Sequence, residues 1–310
     1  MFKKTEHVGN TGNQGSLRGA ALLAFVFLGI TWGSNFIFMK WASEEITPSQ
    51  IVLLRVAFAL PPIAAYALWQ RDLCWQHFRY AHHFLVMSLL ATAIYYWAFA
   101  KGTSLLPSSI AGMLSGTIPL FTFVCSYIFL NEHRIRLANA TGIGLGYFGV
   151  LLAMQPWSNS GQLDLAGGAY MMAGSFCLGC SFVYARKFIS PLQLPAAALT
   201  TYQIGLAAVF LLLVTSLDGI DRVFGNTRSW AGLIFGLGLC GTGLAYIAYY
   251  FVIRQLGALA ASSVAYIPPI VALLIGVIFA GDHVDLLGYL AMTLILAGVV
   301  ILQFARKERS

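Results

Sequence analysis

A chain of 310 residues that is 59% hydrophobic and only 9% charged is not a soluble domain, whose charged share is about 25%. Its length would allow two soluble domains, but the apolar runs leave too little polar surface to cover them. The formal net charge of +7 follows from where the loops lie, and does not mark a nucleic-acid-binding face.

The first 18 residues are polar and rich in Gly and Asn up to Gly15, and are expected to be a disordered tail. They lack a cleavable signal design, because the first apolar run has the length of a full span. A membrane helix needs about 20 mostly apolar residues. That predicts spans over 19–40, 48–70, 81–100, 105–130, 137–155, 166–185, 196–217, 230–253, 256–280 and 286–304. The fold class is therefore all-α and polytopic, with ten transmembrane helices. With both termini cytoplasmic, thirteen of the eighteen Lys and Arg residues fall on the cytoplasmic side, and Lys40, Lys101, Arg222 and Arg228 fall outside. Short loops rich in Lys and Arg stay in the cytoplasm. Arg55 fits neither side.

Taken in chain order, span one carries Trp32-Gly33-Ser34-Asn35-Phe36, a small-residue break with an amide that needs partners. Span two opens at Pro48 and places Arg55 about 10 Å along the helix. A guanidinium there costs a few kcal/mol unless it meets water or a partner. It could grip a substrate carboxylate by bidentate hydrogen bonds, gate the path, or snorkel as a structural residue. Span three contributes Tyr95 and Tyr96, and span four Ser115, Gly116, Thr117 and Pro119. The polar stretch Pro156–Gly161 joins two halves of the chain and suits an external loop. Beyond it come Cys177, Cys180 and Tyr184 in span six, Gln203 in span seven, Tyr246 and Tyr249 in span eight, and Tyr266, Pro268 and Pro269 in span nine. Cys177-x-x-Cys180 has no second pair and reads as packing, with no metal expected. Gly29-x-x-x-Gly33, Gly112-x-x-x-Gly116 and Gly142-x-x-x-Gly146 allow close helix approach, within the chain or in a homodimer.

The halves repeat. Thr92, Tyr96, Ala98, Leu106, Ala111, Pro119, Ile128 and Phe129 recur 150 positions later as Thr242, Tyr246, Ala248, Leu256, Ala261, Pro269, Ile278 and Phe279. Gly33-Ser34-Asn35-Phe36 is echoed by Gly179-Cys180-Ser181-Phe182. Five helices per unit is an odd number, so the second repeat is inverted relative to the first, a common way to build a carrier with a site between the halves. Prolines at matching places free backbone carbonyls that need a partner or a cavity. Pro119, Pro268 and Pro269 are therefore expected to act as hinges near the middle of spans four and nine.

These motifs, in this order, resemble the EamA type of the drug/metabolite transporter superfamily: Trp32–Phe36, Pro48…Arg55, the small-residue run to Pro119 followed by Glu132, and Ala261–Pro269 followed by Gly281-Asp282. The resemblance covers nearly everything after the tail. It implies repeat one over 19–155, an external linker over 156–165, repeat two over 166–304 and a cytoplasmic tail over 305–310. It also implies a bacterial inner-membrane carrier, typically an exporter of amino acids, other small metabolites or toxic compounds, and a recurrent Arg at the position of Arg55.

All eleven acidic residues and all six histidines lie at predicted helix ends or in loops. The usual mid-membrane proton relay, a Ser/His/Asp arrangement and a metal-ligand cluster are thus not expected. No Lys follows a Gly, so the phosphate-cradling loop is absent. The expectation is a secondary carrier without cofactor or enzymatic activity, embedded in the lipid bilayer and acting on a small molecule. Its substrate-binding candidates are Arg55, Trp32, Asn35, Tyr96, Ser115, Tyr184, Gln203, Tyr246 and Tyr266. A multidrug exporter, an exchanger of phosphorylated metabolites or nucleotide sugars, and a non-transporting scaffold or sensor are the competing readings.

Overall fold

Among the described residues, ten helices are long and apolar enough to cross a membrane: α1 (Leu17–Ser43), α2 (Pro48–Trp69), α3 (Trp75–Leu105), α4 (Ser108–Phe129), α5 (Leu137–Met154), α6 (Leu165–Leu192), α7 (Ala196–Val214), α8 (Thr227–Gly257), α9 (Ser263–Ala280) and α10 (Leu286–Gln303). The computed structural model describes residues 11–130, 137–157 and 163–307. Glu132 and most of the expected external turn, including Ser158, lie outside the described residues. The chain is a multi-pass membrane protein of two five-helix repeats.

Local sequence sets the helix starts. At α2, Thr47 and Gln50 form a reciprocal capping box, with Pro48 at the position where a missing N–H matters least. At α6, the Asp164 carboxylate accepts from the Ala166 and Gly167 N–H groups at 2.7 and 3.2 Å. At α4 the cap comes from the other repeat: Asp282 accepts from the Ser109 N–H at 2.8 Å and from the Ser108 hydroxyl at 3.0 Å.

The repeats pack as pseudo-symmetric partners. Gly33 of α1 lies against Val271 and the Pro268 carbonyl of α9, and Gly179 of α6 lies against Phe121 and Thr122 of α4. Phe121 and Val271 are themselves 150 positions apart. α2 packs on α8, α3 on α7, α5 along α10, and α4 crosses α9 at Gly112 and Gly116. All three Gly-x-x-x-Gly pairs thus face helices of the same chain: Gly29 meets Ile267, Gly142 meets the Gly298 carbonyl, and Gly146 meets Leu120.

The prolines act differently from a kink in a continuous helix. In α4 the helix stops at Ser115, turns through Gly116-Thr117 and restarts at Ile118, so Pro119 sits in the first turn of a new segment. At this break Ser115 and Thr117 donate their hydroxyls to the Gly112 and Leu114 carbonyls, both at 2.6 Å. These hydroxyls are engaged with their own helix. In α9 one 3-10 turn (Ser263–Tyr266) precedes the restart at Ile267, with Pro268 and Pro269 again in the first turn. Gly257, at φ +84, breaks the chain before it, in the place that Pro107 holds in repeat one. The two restarts touch, since Gly116 faces the Pro269 ring.

Candidate functional site

Arg55 is 5% exposed and lies where α1, α2, α3 and α8 converge. Its Nε donates to Thr242 Oγ1 at 2.9 Å, and Thr242 passes its own proton to the Leu237 carbonyl at 2.9 Å. The Asn35 amide, oriented so that both ends are satisfied, donates to the Thr31 carbonyl at 3.1 Å and accepts from Arg55 Nη2 at 3.2 Å. The guanidinium carbon stands 3.8 Å from the centre of the Tyr96 ring, a cation–π contact of about 2 kcal/mol in a desolvated setting. Tyr96 and Tyr246 belong to the same packed cluster. No carboxylate among the described residues meets Arg55, and the rest of its donor fork has no acceptor there.

The backbone is adapted to this contact. Thr242 belongs to a π-helical stretch, Gly232–Leu244, in which the wider turn lets a hydroxyl reach the carbonyl five residues back. Gly241 lets α1 approach so closely that any Cβ there would strike the Asn35 amide.

A second polar pair mirrors the first. Gln203 of α7 donates to Thr92 Oγ1 of α3 at 2.7 Å, buried on both sides. Thr92 also sits in a π-helical turn, Leu89–Ala93, and lies 150 positions before Thr242. Arg55 and Gln203 occupy corresponding helices of the two repeats. One geometry is thus built twice, once around a cation and once around a neutral amide.

The EamA-like transporter family matches residues 19–155 and again 165–304. The chain belongs to that family. It is 22% identical over 290 residues to the transporter YoaV of Bacillus subtilis (strain 168), covering 93% of this chain and 98% of that one. It is 28% identical over 201 residues to the inner membrane transporter YedA of Escherichia coli (strain K12), covering 64% and 63%. A transporter of Archaeoglobus fulgidus is 23% identical over 273 residues, covering 87% and 94%. A crystal structure with 17% identity superposes at a TM-score of 0.59 over 94% of this chain and 99% of the other, which shows a shared fold. The protein is a membrane transporter of this family.

Of the residues singled out in the sequence, Asn35, Arg55, Tyr96 and Tyr246 meet in one cluster, with Tyr95 packed on Tyr96 at 4.9 Å between ring centres. Trp32 packs on Tyr249, 5.7 Å away between ring centres, in a neighbouring cluster with Leu28 and Ala245. Gln203 belongs to the mirrored pair. Tyr184 lies apart, its hydroxyl 2.7 Å from His83 Nδ1 and its ring against Phe188. Tyr266 packs among Leu120, Val299 and Leu302, between α4 and α10. Sequence reasoning missed Thr242 and Thr92 as site residues. A signal was present: Thr-x-x-x-Tyr recurs at 92–96 and 242–246, placing both side chains on one helix face.

Proposed function

We propose that this transporter is a secondary carrier, not an enzyme, that exports small carboxylate-bearing metabolites, amino acids or related compounds, across the inner membrane by alternating access. The observation that carries the reading is the buried Arg55 guanidinium, which no carboxylate among the described residues neutralises. An unpaired buried charge costs several kcal/mol, and a substrate carboxylate entering between Arg55, Asn35 and the Tyr96–Tyr246 pair would supply the missing partner. Tyr95, Tyr249 and Trp32 would flank the rest of the molecule, and the restarts at Pro119 and Pro268-Pro269 would serve as hinges. Lys40, the nearest basic candidate for a phosphate site, is bonded to the Ser104 and Leu106 carbonyls at 3.2 and 3.0 Å, which weighs against the exchanger reading.

The test is efflux of amino acids from cells expressing Arg55→Lys and Arg55→Leu at matched levels, with folding checked by gel filtration. Lys keeps the charge but loses the planar fork, so export should weaken by at least about tenfold, and Leu should abolish it. Full-rate export of a zwitterionic amino acid by Arg55→Leu would remove Arg55 as the anchor. The aromatic surround favours one second reading, export of apolar or cationic drugs, which Arg55→Leu would leave intact.

The proposed orientation puts both termini and the 71–80 loop in the cytoplasm. In a Cys-free background, an external thiol reagent should label Ser158→Cys and spare Gln76→Cys. The opposite pattern would invert the assignment.

A further inference from the structure

At the end of the bundle where α1 finishes and α8 begins, two hollows of opposite character meet. One is a cavity of about 270 Å³ lined by Lys40, Glu44, Arg228 and Asp282. The other is a groove of about 550 Å³ between α1 and α8, walled by Phe27, Ile30, Phe38 and Phe235. Trp41 and Arg228 line both. Phe27, Ile30 and Phe235 are exposed side chains on membrane-spanning helices, so the groove opens toward the bilayer.

The charges in the cavity are balanced, two cations facing two carboxylates. Lys40 and Asp282 spend part of their capacity on backbone and hydroxyl groups of the α3–α4 corner. Glu44 and Arg228 are exposed and make no side-chain bond to the protein among the described residues. A ligand satisfying this set carries one anionic and one cationic group close together. Along α1 the groove runs from Trp41 to Phe27, about 21 Å of helix, against about 15 Å for half the hydrocarbon core. That length takes a single acyl chain.

We propose that this corner binds one zwitterionic phospholipid of the phosphatidylethanolamine type. Its phosphate lies between Arg228 and Lys40, its ammonium at Glu44 and Asp282, and one acyl chain along the α1/α8 groove. Lys and Arg side chains hold phosphate oxygens by charge-assisted hydrogen bonds, and the carboxylates here select a headgroup that also donates hydrogen bonds. The site is separate from Arg55, and the proposal does not depend on the substrate assigned there.

Native mass spectrometry of the full chain, released from detergent with phosphatidylethanolamine, phosphatidylcholine or phosphatidylglycerol of identical acyl chains, tests it. The expected result is one phosphatidylethanolamine adduct that survives activation stripping the other two lipids. Glu44→Gln and Arg228→Gln should each lower its occupancy at least about fivefold, whereas Arg71→Gln, in the loop after α2, should not. Glycerophosphoethanolamine, the headgroup without chains, should fail to compete. Because the substituted side chains are exposed, both variants should keep the wild-type elution volume. Equal retention of the three lipids, preferred retention of phosphatidylglycerol, unchanged occupancy in both variants, or a dimer in place of the lipid adduct would each overturn the proposal.

Discussion

The Arg55–Thr242 pair and the Gln203–Thr92 pair are the same construction in the two repeats. In each, a long polar side chain from the second helix of a repeat reaches a threonine in a π-helical turn of the other repeat's third helix. The neutral pair is self-sufficient, because an amide donor meeting a hydroxyl leaves no net charge to balance. The charged pair is not, since a hydroxyl and an amide oxygen bind a guanidinium without neutralising it. The two repeats thus share one scaffold with different chemistry, and under the proposed function the charged limb is the one that meets the ligand's charge.

The comparison can be broken most severely by making the limbs alike. Arg55→Gln should cut efflux of carboxylate substrates by about thirtyfold or more, the loss of about 2 kcal/mol or more for an unpaired charge interaction. Gln203→Asn, which shortens the neutral limb, should cost less than about tenfold in the same assay. Equal losses would show that both limbs serve packing alone.

Next come the threonines. Thr242→Val strands the Arg55 Nε and the Leu237 carbonyl, and should lower thermal stability by about 1.5–3 kcal/mol, as for hydrogen bonds to charged groups. Thr92→Val strands only a neutral amide and should cost about 1 kcal/mol. Paired melting curves in one detergent measure the difference, and a larger cost at Thr92 would reverse the reading.

The proline restarts sharpen the comparison in a second pair of matched positions. Pro119→Ala and Pro269→Ala each restore a backbone donor where a helix restarts, and should slow transport several-fold while leaving protein abundance within about twofold. Normal rates in both single variants and the double variant would leave the prolines as packing features. The smallest effect is expected at Tyr184→Phe, which removes the bond to His83 far from Arg55. It should change stability by less than about 1 kcal/mol and leave substrate preference unaltered.

Much of the architecture was legible along the chain. Ten apolar runs, the 150-residue repeat and one cation deep in a span required only hydropathy and spacing, and the span limits moved most at α3, which extends to Trp75 and Leu105, at α6, which runs on to Leu192, and at α9, which starts at Ser263. The site was legible in part. Asn35, Arg55, Tyr96 and Tyr246 stood out because a polar or aromatic group inside a span needs a reason to be there, and they meet in one cluster. Ser115 and Thr117 donate to carbonyls of their own helix, a local arrangement that residue type alone did not foretell. Tyr184 and Tyr266 lie away from the Arg55 cluster, against His83 and among Leu120, Val299 and Leu302, because an aromatic residue suits many environments.

What the sequence determined by itself is the set of helices, their duplication and the rarity of charge within them, because each follows from local transfer energetics in a medium without water. What only the tertiary structure decided is which polar groups meet. Arg55 reaches Thr242 across 187 positions and Gln203 reaches Thr92 across 111. Those meetings depend on how each helix is rotated about its axis. The rotation is set by glycine contacts such as Gly33 on Val271 and Gly241 on Asn35, and by π-helical turns that shift the register of one face relative to the next.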